Sequence, residues 1–271
     1  MANVEKLSLV ALTRSTSNAG SGDVLNVTID IDGNDVVDEN FWQERETGQG
    51  SFDEAEHTIN NLETTYLTNS SIRLGTRGDD AWRPQHVMLL GRNAFVHFPF
   101  AMVTDSQVTL STDTDEGHLS MPLLPLSINS TLSIQRLLLL VHTNTAPAFH
   151  GLTNDNIFVQ IANLVHGEHI LFEEQIPRGP QRYLRRNWYF FDVLTPFTRG
   201  DVNRVTLRTD GEDFWLPRYF FLFGLDTAAG NPTQAYPLVD IPPHKWDMGG
   251  LSTNHTEGRS LVSLPLSSTL V

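Results

Sequence analysis

The chain contains no cysteine. That removes disulfide staples, thiolate nucleophiles and cysteine-ligated metals, and it leaves the compartment open. No apolar run approaches the ~20 residues of a membrane helix, so no transmembrane segment is expected. Arg136 to Val141 holds five apolar residues, the size of a buried strand. Amphipathic helical spacing is missing as well. Basic residues are few: 18 Lys and Arg stand against 32 Asp and Glu, a net charge of −14. That balance argues against nucleic acid as a partner. The start, Met1-Ala2-Asn3-Val4-Glu5-Lys6, lacks the basic-then-apolar pattern of a signal peptide. A cytoplasmic chain and a secreted one with its leader removed both stay open. No G-x-S-x-G elbow, P-loop or dinucleotide glycine pattern occurs. His166-Gly167-Glu168-His169 has the wrong spacing for a zinc protease and reads as a hairpin turn.

What is present is a globular composition, 39% hydrophobic and 18% charged, and a repeated signature. Thr76-Arg77-Gly78-Asp79-Asp80-Ala81-Trp82-Arg83-Pro84 returns as Thr209-Asp210-Gly211-Glu212-Asp213-Phe214-Trp215-Leu216-Pro217. Both read T-x-G-acid-D-x-W-x-P, offset by 133 residues, and both run into an apolar segment ending in Gly91 or Gly224. Gly22 to Ile29 lines up with Asn154 to Ile161, and Leu124-Pro125-Leu126-Ser127 with Leu264-Pro265-Leu266-Ser267. The reading is two copies of one unit, 1–131 and 132–271, each of domain size. The first carries 19 acids and 7 bases, the second 13 and 11. One plan therefore presents two surfaces, balances of −12 and −2.

Strand signals fill both units. Leu25, Val27, Ile29 and Ile31 alternate with Asn26, Thr28, Asp30 and Asp32, the period of a half-buried antiparallel strand. Asp32-Gly33-Asn34-Asp35 supplies turn chemistry. Strands are expected over 4–13, 71–74, 95–100, 107–110, 119–126, 136–142, 156–162, 170–176, 202–208 and 219–223. Residues 54–62 read as a short helix or a loop, and 228–258 as a long Pro/Gly-rich loop. The fold class is all-β: two tandem antiparallel β-sandwich domains related by internal duplication.

The order of a strand, a Gly-Asp turn and an alternating strand, later a Gly/Asp-rich turn, a Trp and an apolar strand, resembles the PLAT (lipoxygenase homology) domain. That family is an eight-stranded β-sandwich found beside lipases, lipoxygenases and clostridial alpha-toxin. Gly22 to Gly33 is similar to its opening motif, G-T-D-A-N-V-x-I-x-L-x-G, and Leu152 to Ile161 less so. Ala81 to Leu89 and Phe214 to Leu222 are similar to G-W-x-L-x-x-V-x-V around the Trp. Neither copy has Gly before that Trp, and both have Pro two residues after it. The resemblance implies non-catalytic binding of a lipid surface or protein partner, with calcium in some members. The matching calcium positions are Asp23, Asp79 and Asp80, then Asp155, Glu212 and Asp213.

The residues themselves leave alternatives. Calcium takes 6–8 oxygens, several from carboxylates, and Gly78-Asp79-Asp80 offers two in one turn, with Asp23 a third if the loops meet. Equally, Gly-Asp makes a turn in which Asp caps backbone. Trp82 and Trp215, each beside an apolar strand, read as core, and Pro84 and Pro217 as strand starts. Arg182, Arg185 and Arg186 beside Trp188 and Tyr189 form a candidate ligand-binding segment for phosphate or sulfate, the aromatics as platform; the alternative is a solvated face. Sequons at Asn26, Asn69, Asn129 and Asn254 need nothing beyond chance. The expected function is a non-catalytic binding or accessory module for a lipid or membrane surface or a protein partner, calcium-assisted in one version. Carbohydrate binding is the alternative. A hydrolase with carboxylates in the long loops comes third, since glycosidase acids leave no sequence signature.

Overall fold

The computed structural model describes residues 4–14, 22–41, 50–55, 62, 71–93, 96–143, 153–177, 188–227, 230–243 and 245–268. Among these residues strands dominate, and the one helical element is a single 3-10 turn, Arg199–Asp201. The fold is all-β. Two compact units form: Met1–Ile128 with Ala229–Ala235 and Thr269–Val271, and Asn129–Ala228 with Tyr236–Ser268.

Unit one contains β1 (Lys6–Thr13), β2 (Leu25–Ile31), β3 (Asn34–Phe41), β4 (Gly50–Ala55), β5 (Ile72–Thr76), β6 (Pro84–Arg92), β7 (His97–Val103), β8 (Ser120–Pro122), β9 (Leu124–Pro125) and β10 (Ser127–Ile128). One antiparallel sheet has the order β4-β1-β6-β7-β9, the other β3-β2-β5-β8. The period-two reading of β2 holds: Leu25, Val27 and Ile29 are fully buried, while Asn26, Thr28 and Asp30 are half-buried on the other face. The hairpin to β3 turns on Asp32 and Gly33, both at positive φ (54° and 81°). Gly adopts that region at no steric cost and Asp tolerates it, which suits a two-residue hairpin loop. Leu7, Leu9, Val87, Leu89, Phe98 and Phe100 from one sheet pack with Leu25, Val27, Ile72 and Leu74 from the other. That is a sandwich core.

Unit two contains β11 (Ile134–Thr143), β12 (Ile157–Asn163), β13 (His169–Gln175), β14 (Trp188–Phe197), β15 (Arg204–Thr209), β16 (Pro217–Leu225), β17 (Gln234–Ile241), β18 (Gly250–Leu251), β19 (Gly258–Arg259) and β20 (Leu261–Leu264). Within it, counting β17 from Tyr236, strands run in the orders β14-β11-β16-β17 and β13-β12-β15-β20, which match β4-β1-β6-β7 and β3-β2-β5-β8 of unit one. Registers match too. Leu25 pairs with Thr76 as Ile157 does with Thr209. Thr13 pairs with Pro84 as Thr143 does with Pro217, each just past an irregularity in the ladder. Pro opens β6 and β16, as expected of a residue that cannot donate to a ladder.

Four expectations change. The stretch 228–258 is not one long loop, because β17, β18 and β19 lie in it. Of 107–110 only Leu110 bridges, to Trp82 and His118. Glu54 and Ala55 belong to β4 rather than a helix, and 56–61 lie outside the described residues. The closing motifs are out of step: Leu126 N–H donates to Phe100, but Ser267 N–H, not that of Leu266, donates to Leu238.

Trp82 and Trp215 are 0% and 1% exposed. Truncating a buried Trp removes its transfer free energy and leaves a cavity, so Trp82→Ala and Trp215→Ala should each cost about 3–5 kcal/mol. Urea melts of the two variants check this. A loss below about 1 kcal/mol would place the ring outside the core.

Candidate functional site

The signature turn connects β5 to β6 and β15 to β16, and its parts have separate tasks. The Trp goes inward. Trp82 Nε1 donates to Thr13 Oγ1 at 3.0 Å, and its backbone exchanges two hydrogen bonds with Leu110. Trp215 Nε1 donates to Thr143 Oγ1 at 2.9 Å and exchanges the same pair with Leu251. A buried indole N–H thus has its partner.

The carboxylates form a clamp. Asp80 N–H donates to Asp23 Oδ2 at 2.7 Å, and Gly22 N–H donates back to Asp80 Oδ2 at 3.0 Å. In unit two, Asp213 N–H donates to Asp155 Oδ2 at 2.6 Å, and Asn154 N–H to Asp213 Oδ2 at 3.1 Å. Between them sits a glycine with no room for a side chain. A Cβ on Gly78 would lie 2.0 Å from the Asp23 carboxyl carbon, and one on Gly211 1.9 Å from that of Asp155. Gly is therefore required by close approach and not by φ. Asp79 and Glu212 are exposed; their backbone carbonyls accept from Ser111 Oγ (2.8 Å) and Ser252 Oγ (2.6 Å).

Among the described residues this arrangement is a turn cap and not a gathered calcium site. Asp23 and Asp80 meet, as do Asp155 and Asp213, but each meeting is built on backbone N–H donors, and Asp79 and Glu212 contribute through backbone. Among the described residues no group of three or more His, Cys, Asp or Glu side chains gathers to hold a metal. Calcium needs several such oxygens at once. Turn-capping explains these acids.

A second repeated motif completes the turn. Leu110-Ser111-Thr112 to Glu116-Gly117 and Leu251-Ser252-Thr253 to Glu257-Gly258 both read L-S-T-x-x-x-E-G, offset by 141 residues. Thr112 N–H donates to Gly78 and Thr253 N–H to Gly211. The motif was visible in the sequence. Its offset differs from the 133 of the signature because the intervening chain differs in length, which hides it from a single-offset comparison.

The basic–aromatic segment is not an exposed platform. Trp188 and Tyr189 are 5% and 8% exposed, opposite Leu140 and Leu139 in the ladder between β14 and β11. Both rings are buried at the start of β14, whose later residues Asp192 and Leu194 are exposed. Arg182, Arg185 and Arg186 lie outside the described residues.

Exposed apolar residues gather elsewhere. Seven large ones are exposed among the described residues. Four lie at one end of unit two: Leu164 and Val165 in the β12–β13 turn, Ile170 beside it, and Leu194 on the strand that feeds the adjoining β14–β15 turn. Leu164 N–H donates to Asn203 Oδ1 at 2.8 Å, joining the two turns. Val165 is 63% exposed and Leu194 98%. The sequence showed a hairpin turn at His166–His169 and a strand over 170–176, with nothing to mark these side chains as exposed. Unit one has the tight Asp32-Gly33 turn in that position.

No protein-family model matches the chain, and no curated protein matches it. Among solved structures, the C2A and C2B domains of extended synaptotagmin 2 match at 8% identity, covering 79% of this chain and 76% of that one, with a TM-score of 0.14. A likeness that slight carries no argument.

Two outcomes follow from this geometry. Asp23→Ala or Asp155→Ala removes the charged acceptor of an exposed turn N–H, which water partly replaces, and should cost on the order of 1 kcal/mol. Millimolar calcium added after chelator treatment should leave the Tm of the native protein unchanged; a rise of several degrees would restore a metal to the site. Separately, His142 stacks on Tyr219 (5.7 Å, 26°), and burial followed by the Arg218 charge lowers its pKa from 6.5 to about 4. The unfolded chain binds the proton more readily, so this stabilisation is complete above pH 6.5 and is lost as pH falls towards 4, on the order of 3 kcal/mol in all. His142→Phe should flatten that part of a stability–pH curve.

Proposed function

We propose that the protein is a non-catalytic binding module that docks a lipid surface through the β12–β13 end of unit two. The observation that carries this reading is the gathering of four of the seven exposed large apolar side chains at that end, Leu164, Val165, Ile170 and Leu194. Water contact with such groups is unfavourable, and burying a Val or Leu contributes about 1.5–3 kcal/mol. Apolar residues on a turn tip suit shallow insertion better than a flat protein interface, where a broad patch is needed. Charge points the same way. Residues 132–271 carry −2 against −12 for 1–131, so this half meets a membrane without the repulsion the other would bring. The PLAT resemblance of the signature agrees with such a role. The turn acids being clamps, binding is calcium-independent.

Co-sedimentation with phosphatidylcholine vesicles, alone and with phosphatidylserine, tests this. The native protein should pellet with vesicles in chelator. Leu164→Asp combined with Val165→Asp should weaken binding at least tenfold, since the charged tip must desolvate to insert. An unchanged melting curve is expected because both residues are exposed. Absence of pelleting, or pelleting untouched by the double substitution, would remove the lipid reading and leave a protein partner for this end.

A further inference from the structure

The other end of unit two, where the clamp lies, carries a pair of aromatic rings that unit one lacks. Phe214, between Asp213 and Trp215, is half-buried. Its ring occupies the space in front of Gly250, where a Cβ would fall 1.8 Å from the ring edge. Trp246 is also half-buried. Its Nε1 donates to Gly249 O at 2.7 Å, and its ring lies 6.5 Å from the buried Phe220. Gly249 has φ +74°, a backbone that side chains rarely adopt. Consecutive glycines thus receive one ring each, Phe214 over Gly250 and Trp246 bonded to Gly249.

Unit one closes the same end without them. Ala81 precedes Trp82 where Phe214 precedes Trp215, and Thr109 precedes Leu110 where Gly250 precedes Leu251. The exchange is reciprocal: a ring replaces a methyl group, and a glycine opposite makes room. The shared sandwich does not require the rings, so folding alone does not explain them.

We infer that Phe214 and Trp246 form a binding ledge for a neutral saccharide. Sugar rings present apolar C–H faces that rest on aromatic surfaces, with hydroxyls at the rim for hydrogen bonds. The indole N–H is used internally, so Trp246 offers its ring face rather than its donor. The chain around the rings is acidic: Glu212 and Asp247 are exposed, with Lys245 the basic neighbour. Carboxylates accept from hydroxyls, while an anionic lipid headgroup or an acidic polymer is repelled. This inference stands apart from the lipid reading, which uses the opposite end of β12.

Affinity electrophoresis through gels containing hydroxyethylcellulose, xylan, galactomannan or mixed-linkage glucan tests it, with polygalacturonate as the anionic contrast. At least one neutral polymer should retard the native protein, and polygalacturonate should not. Phe214→Ala and Trp246→Ala should each weaken retardation at least tenfold. Phe214→Leu, which keeps apolar volume over Gly250 but removes the ring, should fold like the native chain and still lose binding. Vesicle pelleting should be unchanged in all three. No retardation by any neutral polymer, or retardation that survives Phe214→Leu and Trp246→Ala, overturns the ledge.

Discussion

The carboxylate of Asp23 on the N–H of Asp80, repeated as Asp155 on Asp213, sets the terms for each unit. Hydrogen bonds to an ionised acceptor are shorter and stronger than neutral ones. Such a bond forms here only because Gly78 and Gly211 let the carboxyl group lie against the backbone. Once the turn is held, its next residues are committed. Trp82 and Trp215 enter the core, and their backbones pair with Leu110 and Leu251. The following Pro begins the apolar strand that pairs with β1 or β11. One local contact therefore fixes how the loop before β2, the turn after β5 and the strand β6 meet.

Much of this was legible in the sequence. Period-two alternation placed β2 and β12, and the Gly-acid-Asp-x-Trp-x-Pro signature located the turn, because both arise from local rules of side-chain direction and turn chemistry. The carboxylates were found but their use was open. Whether Asp23 faces a cation or a backbone N–H depends on residues more than fifty positions away, and only the folded chain brings them together. Trp188 and Tyr189 were misread because a basic run beside aromatics looks like a surface. Only the start of their strand is covered, while Asp192 and Leu194 further along it are exposed, so the burial of both rings depends on what packs over that end. The strands inside 228–258 were hidden by Pro and Gly, which mark turns but also bound short bridges.

The two units share their clamp and core and differ at their ends. Asp32-Gly33 turns tightly where Leu164 to Glu168 makes a wider tip. Ala81 and Thr109 stand before Trp82 and Leu110 where Phe214 and Gly250 stand before Trp215 and Leu251. A fold does not by itself specify a function, and such differences are where one scaffold acquires separate uses. The charge balance follows the same division, acidic in residues 1–131 and near neutral in the remainder.

The span of the clamp bears on how fast the protein folds. Asp23 and Asp80 are 57 residues apart, and Trp82 and its partner Thr13 are 69 apart. Pairings this remote must close large loops before they return any stabilisation, which places such topologies in the millisecond-to-second range. Until closure, the indole and the apolar strand behind it stay in water, twice per chain. During synthesis the first unit's Trp emerges well before the L-S-T segment at 110–112 that completes its turn. That interval, rather than the finished sandwich, is when the chain is most open to pairing with the wrong copy of its own motif.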